Sequence, residues 1–278
     1  MIFRGTGHSG SPEKLERKRW LPEDTDSILK LVRTVQKEGR VSIRRMGSFV
    51  NDVFLVKMDG ERFVAKRYTN WVSLKWFTLS LYGLGSVRFS ISGRKRMEAE
   101  YYYNDFLGRR GVSVPQVLAA DARARIILFS YVSGDQLSTL LGGLGRDGPG
   151  VQREKDAAFS SGETVGAAHQ MEVALGDTKP ENFIVDRSGN VTLVDLEQGK
   201  FKGDYSWDVA EFLYYSGHYW LSHDKALGDY VESFIEGYMV QGNARVLKSA
   251  SSPRYVRVFS LWTPPNILYG INKTLQEA

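Results

Sequence analysis

No cysteine occurs among the 278 residues, which excludes a disulfide framework, a thiolate nucleophile and a cysteine-based zinc site. Histidine is nearly as scarce: the four present form no H-x-x-x-H or similar pair, so their spacing points to no metal centre. No apolar run reaches the roughly 18 residues of a membrane-crossing helix. The nearest, Trp76 to Val87, is closed off by Lys75 and Arg88 and reads as a buried or interfacial helix. The first residues lack the apolar stretch of a secretory signal, and a soluble, cytoplasmic protein is expected. With 42% hydrophobic and 25% charged residues the chain can build a sizeable core, which excludes disordered, collagen-like and fibrous classes.

The net charge of +5 hides a division: residues 1–134 hold 24 Lys and Arg against 13 Asp and Glu, and residues 135–278 hold 13 against 19. A basic half suits an anionic partner such as nucleic acid, a nucleotide or an acidic protein. The alternative is a solvated tail, since Lys14, Arg17, Lys18 and Arg19 lie in the polar start.

Residues 1–24 are rich in Gly, Ser and charge without a sustained period and read as a tail or loosely docked arm. A helix is expected from a cap at Thr25 or Asp26, with Ile28, Leu29, Leu31, Val32 and Val35 on its apolar side. Strand patterns follow at 53–58 and 62–68 around Asp59-Gly60, a strong hairpin signal. Next come a helix near 95–107 and strands near 116–120 and 125–132. Beyond Gly134 the pattern is helical, interrupted by a hairpin at 183–194 and broken again at Thr263-Pro264-Pro265. The expected fold class is α+β and bilobal: a small β-rich lobe over 25–134 with one key helix and an insertion at 71–92, then a larger helical lobe over 135–278.

The segment richest in chemistry is Asp177-Thr178-Lys179-Pro180-Glu181-Asn182, followed by a hairpin that ends at Asp195. Phosphoryl transfer needs a carboxylate to orient the attacking hydroxyl, an amide and a second carboxylate for divalent metal, and a cation for the transferring group. Asp177, Asn182, Asp195 and Lys179 are those four types, and a hairpin returning on itself brings the oxygen ligands together. Local backbone capping by Asp177 and Asn182 is the plainer alternative.

The run Asp177-x-Lys179-Pro180-Glu181-Asn182, with the thirteen-residue step from Asn182 to Asp195, resembles the catalytic loop and metal-binding aspartate of the eukaryotic-type protein kinase superfamily. The resemblance implies ATP as phosphoryl donor, Asp177 as catalytic base, Lys179 near the γ-phosphate, and Asn182 and Asp195 on Mg²⁺ or Mn²⁺. Phe63-Val64-Ala65-Lys66 resembles the strand whose lysine holds the α and β phosphates. Met97, Glu100, Tyr103 or Asn104, and Leu107 share one helical face, which turns Glu100 inward as partner for Lys66 and leaves Glu98 off the stripe. A snorkelling surface lysine is the alternative for Lys66 alone. Gly47 and Ser48 stand where the phosphate-covering loop belongs, with one glycine in place of three. Ser130 and Val132 stand at the adenine-reading hinge, and Phe129 before them serves equally as core. His169 reads as a satisfied core histidine. Asp208 resembles the aspartate that anchors the catalytic loop, with Asp204 as the other claimant.

Leu175-Gly176 replaces the family's His-Arg pair, Asp195-Leu196-Glu197 replaces Asp-Phe-Gly, and Asp208 follows Asp195 by only thirteen positions. No segment for docking a peptide in the conventional way fits there. This shortened form is similar to the atypical small Ser/Thr kinases: RIO kinases, the tRNA threonylcarbamoylation-complex kinase and lipopolysaccharide core kinases, with aminoglycoside phosphotransferases nearby. The expected activity is transfer of the γ-phosphoryl group to a hydroxyl, with a protein Ser or Thr as acceptor. The alternatives are a small-molecule or glycan kinase, or a pseudokinase or ATP-switched module in an RNA-processing or ribonucleoprotein assembly. The aromatic insertion reads as a docking surface aided by Arg94, Lys95 and Arg96, or as extra core.

Overall fold

Period-two apolar runs before Gly134 and helical periods after it separate the chain into a sheet part and a helix part. In the computed structural model these parts are described over residues 22–46, 51–69, 90–143, 152–220 and 224–278. Gly47, Ser48, most of the 71–92 insertion and most of the glycine-rich loop at 142–150 lie outside the described residues. Helix α1 (Pro22–Val35) begins ahead of the cap expected at Thr25 or Asp26 and inside the stretch read as tail. Proline supplies a φ that suits a first helical turn and lacks an N–H that would go unbonded there.

Strands β1 (Val41–Met46), β2 (Asp52–Met58), β3 (Glu61–Arg67), β4 (Val117–Asp121) and β5 (Ile126–Ser130) form an antiparallel sheet in the order β1-β2-β3-β5-β4. Met58 pairs with Glu61 across a two-residue turn in which Asp59 and Gly60 both take positive φ, 46° and 90°. That is the mirror-image turn whose twist matches paired strands, so the Asp-Gly signal acts through backbone geometry. β5 is buried on both faces. Ile126 and Leu128 pack with Ile28 and Val32 of α1, whereas Ile127 and Phe129 pack with Tyr68 and Met97 beneath helix α2 (Gly93–Gly108). Each such side chain contributes on the order of 1.5–3 kcal/mol by burial. Val35, expected on the apolar side of α1, is exposed because the helix ends there.

Beyond Gly134 come β6 (Asp135–Gln136), α3 (Leu137–Gly142), α4 (Gln152–Gln170), β7 (Val173–Ala174), β8 (Phe183–Val185), β9 (Val191–Leu193) and β10 (Lys200–Phe201). They are followed by α5 (Tyr205–Ser216), α6 (Lys225–Met239), α7 (Ala244–Ala250), α8 (Pro253–Phe259) and α9 (Pro265–Glu277). Strands β6, β8 and β9 form one small sheet and β7 pairs with β10. The core of this part joins Leu175, Phe183, Leu193 and Leu196 to Phe212 and Phe234, whose rings stack at 4.3 Å. Both ends of the 175–196 segment are thereby fixed to the helical core. The α+β, two-lobed arrangement expected from the sequence is the one observed.

Candidate functional site

Lys66 leaves β3 on the face toward α2 and is buried. Its Nζ lies 2.7 Å from Glu100 Oε2, 2.7 Å from Asp195 Oδ1 and 3.3 Å from Glu197 Oε2. Three elements far apart in sequence thus meet at one ammonium, and Lys66 does not snorkel. The helical stripe behaves as its period requires: Met97, Glu100, Tyr103, Asn104 and Leu107 are all buried, while Glu98 is exposed and paired with Arg94. Glu100 also accepts from the Tyr68 hydroxyl at 2.6 Å. Burial pushes the Glu100 carboxyl up to about 7, against the pull of Lys66 and aided by the charges of Asp195 and Glu197. Burial disfavours the Lys66 ammonium, yet Asp195, Glu100 and Glu197 outweigh it and hold its pKa well above the usual lysine value.

Asp195 follows the β8–β9 hairpin and takes a φ of 66°, a strained choice for a residue with a Cβ. Burial would raise its pKa, but Lys66, by charge and hydrogen bond, and then Lys179 hold it below the usual carboxylate range. Asn182 sits beside it through the hairpin: the Val194 N–H donates to the Asn182 carbonyl at 2.8 Å. The Asn182 amide donates to the Asp177 carbonyl at 2.9 Å, and Lys179 Nζ pairs with Asp177 Oδ2 at 2.9 Å. The local capping foreseen for this loop therefore exists alongside the convergence of Asp177, Lys179 and Asn182. Burial, with repulsion from Asp195, raises the Asp177 pKa despite Lys179.

The loop is held from below by α5. The Leu175 and Gly176 N–H groups donate to Asp208 at 2.6 and 2.7 Å, and His169 Nε2 meets the same carboxylate at 2.9 Å. His169 Nδ1 meets the Tyr238 hydroxyl at 2.9 Å, so both ring nitrogens are occupied within the core. Asp204 instead caps α5, accepting from Trp207 N–H at 3.1 Å. Gly176 has a steric role: its φ is +77° and a Cβ there would stand 2.8 Å from the Gln198 carbonyl oxygen.

Among the described residues, no hydrogen bond or ion pair joins Ser130 or Val132 to this cluster. Ser130 exchanges bonds with Gln116, its N–H donating to the carbonyl at 2.9 Å and its hydroxyl accepting the N–H at 2.9 Å. Val132 lies in the irregular link between β5 and β6, and Phe129 is core. Gly47 and Ser48 lie outside the described residues.

The sequence pattern did not single out Glu197, Arg96, Asn51 or Glu211. Arg96, expected to supply surface charge, is wholly buried. Its Nη1 bonds Glu197 Oε1 at 2.9 Å and Asn51 Oδ1 at 2.8 Å, and the Asn51 amide closes the triangle on Glu197 Oε2 at 2.6 Å. The signal was available, since Arg96 is four residues before Glu100 on the buried stripe. Glu211, one turn after Asp208, accepts from the Thr178 N–H at 2.6 Å. Burial first, then Asp177, raises its pKa well above the usual range.

Glu100, Asp195 and Glu197 offer carboxylate oxygens within 4.8 Å of one another. Both oxygens of Glu197 are bonded to buried partners, and Glu100 is bonded to Lys66 and Tyr68. Asp195, with 29% of its side chain exposed, is the carboxylate of the three best able to take a divalent cation. Asp195 and Asn182 are hard oxygen donors of the kind Mg²⁺ and Mn²⁺ prefer.

No protein-family model matches the chain. It is similar to a probable bifunctional tRNA threonylcarbamoyladenosine biosynthesis protein of Methanocaldococcus jannaschii, with 23% identity over 145 residues. That match covers 52% of this chain and 25% of the relative, so the chain corresponds to about a quarter of that protein's length.

Proposed function

We propose that this chain is an ATP-dependent phosphotransferase of the atypical protein-kinase-like kind, moving the γ-phosphoryl group to a serine or threonine hydroxyl of a protein. The observation that carries the reading is the meeting of Lys66 with Glu100 and Asp195 at 2.7 Å each, beside a loop presenting Asp177, Lys179 and Asn182. Such a set provides positioning and charge stabilisation, which is most of what phosphoryl transfer asks of a protein.

In this reading Lys66, oriented by Glu100, binds the α and β phosphates. Asp195 and Asn182 hold Mg²⁺ or Mn²⁺, which supplies neutralisation of phosphate charge. Asp177 orients the acceptor hydroxyl and takes its proton as the oxygen–phosphorus bond forms and the bond from the γ-phosphorus to the bridging oxygen breaks, with ADP leaving. Its raised pKa makes Asp177 a better base than an ordinary aspartate. Lys179 balances charge on the transferred group. The similarity to a tRNA threonylcarbamoyladenosine biosynthesis protein and the basic 1–134 half support an RNA-linked assembly as the setting.

The test is incubation of the purified protein with γ-labelled ATP and Mg²⁺ or Mn²⁺, with candidate protein acceptors present or absent. Label on protein Ser or Thr, lost in Asp177→Asn, is expected. Label appearing only in small soluble molecules would move the acceptor to the small-molecule or glycan class, and no metal-dependent release of label would refute the reading.

A further inference from the structure

The chain that follows Asp195 does not leave the site; it runs along α2. Glu197 is bonded to Arg96 and, through Asn51, to the start of β2. Gln198 accepts from the Ser90 N–H just ahead of α2 at 2.8 Å. Gly199 lies against the Tyr103 ring so closely that a Cβ would stand 2.6 Å from it. The Phe201 N–H donates to the Tyr103 hydroxyl at 3.0 Å, and its ring meets Tyr103 and Phe106 edge-on at 5.5 and 5.1 Å. These contacts touch α2 at residues 96, 103 and 106, on either side of Glu100.

We propose that residues 197–201 form a strap that clamps α2 in the position where Glu100 meets Lys66, with Glu197 and Arg96 as its positioning residues. This rests on the phosphotransferase reading of the site. A strap built from unmodified side chains keeps the Lys66–Glu100 pair assembled without phosphorylation of the segment before α5. Glu197 acts on Lys66 twice, through the placement of α2 and through its own carboxylate 3.3 Å from the ammonium. The glutamate in place of the family's glycine thus exchanges mobility for a fixed pair. The wholly buried Arg96 between Glu197, Asn51 and the Thr69 carbonyl holds the strap to α2, because a buried guanidinium without those partners would be strongly destabilising.

The test uses the full chain with Glu197→Gln, which can still bond Asn51 but cannot pair with Arg96 and Lys66, and with the milder Tyr103→Phe. Hydrogen exchange of the α2 amides is expected to accelerate at least tenfold in Glu197→Gln and less in Tyr103→Phe, with α6 unchanged. Unchanged exchange of α2 in both variants would overturn the strap, whatever the nucleotide chemistry. On the same samples, the dissociation constant of a fluorescent ATP analogue with Mn²⁺, referred to the folded fraction, is expected to rise about tenfold. A merely structural role would lower only the folded fraction and leave that constant alone, so an unchanged value with a loosened α2 would overturn the positioning role. Failure of the wild-type chain to bind the analogue would count against the phosphotransferase reading, while the exchange data would still decide the strap.

Discussion

Replacing Glu100 by Gln tests the electrostatics of the site at a single atom. Around Lys66 and Arg96 stand three carboxylates, those of Glu100, Asp195 and Glu197, so this buried group carries one more negative than positive charge if all are ionised. Burial and the two neighbouring carboxylates raise Glu100 from 4.5 to about 7. A carboxyl raised on folding contributes most to stability below its unfolded value, and that contribution is lost as the pH rises through the folded value. From about pH 5.5 to about pH 8 the wild type should lose about 2 kcal/mol through Glu100 alone. Gln carries no titration, and other groups cancel to first order in the difference between the two proteins. Glu100→Gln should therefore be costly near pH 5.5 and cost about 2 kcal/mol less near pH 8. Urea unfolding of both proteins at the two pH values measures this, in the absence of divalent metal. A difference that does not change with pH, or that grows toward pH 8, would refute the reasoning.

Asp208→Ala should destabilise the protein by roughly 2–4 kcal/mol, because the Leu175 and Gly176 N–H groups and His169 lose their buried acceptor together; denaturant unfolding measures it. Lys66→Met and Glu100→Ala should each lower kcat/KM for ATP, with the double mutant losing much less than the sum of the two free energies because the pair acts as a unit. Additive losses would mean that the pair does not act through a shared geometry. Tyr205→Phe and Ser206→Ala, which remove the only hydroxyls between Asp195 and Asp208, should leave phosphoryl transfer per folded protein unchanged, as measured with labelled ATP before and after phosphatase treatment.

What was legible in the sequence was local. Asp59-Gly60 encodes its hairpin in two residues whose backbone preferences decide the turn, and the 3.6-residue period alone places Glu100 inward. The Asp177 to Asn182 spacing likewise lies within one loop. The Arg96–Glu197–Asn51 triangle was not legible because it joins residues 45 and 101 positions apart. Arg96 also sits in an Arg-Lys-Arg run that reads as solvated charge, and only the stripe through Glu100 marks it as different from Arg94. Two-residue strands such as β7 and β10 carry too few side chains to show a period. The start of α1 at Pro22 is not legible because a polar, acidic first turn looks like tail. The bonds between Ser130 and Gln116 join residues 14 positions apart, and position in the chain alone does not reveal them.

The most direct test of the central claim is the binding of ATP with Mn²⁺ to the wild type and to Asp195→Asn by calorimetry, in excess metal and in excess chelator. The wild type should bind one nucleotide in a metal-dependent way, and Asp195→Asn, which keeps the side-chain shape, should lose at least tenfold in affinity with metal and little without it. Equal, metal-dependent binding by both proteins would contradict the account.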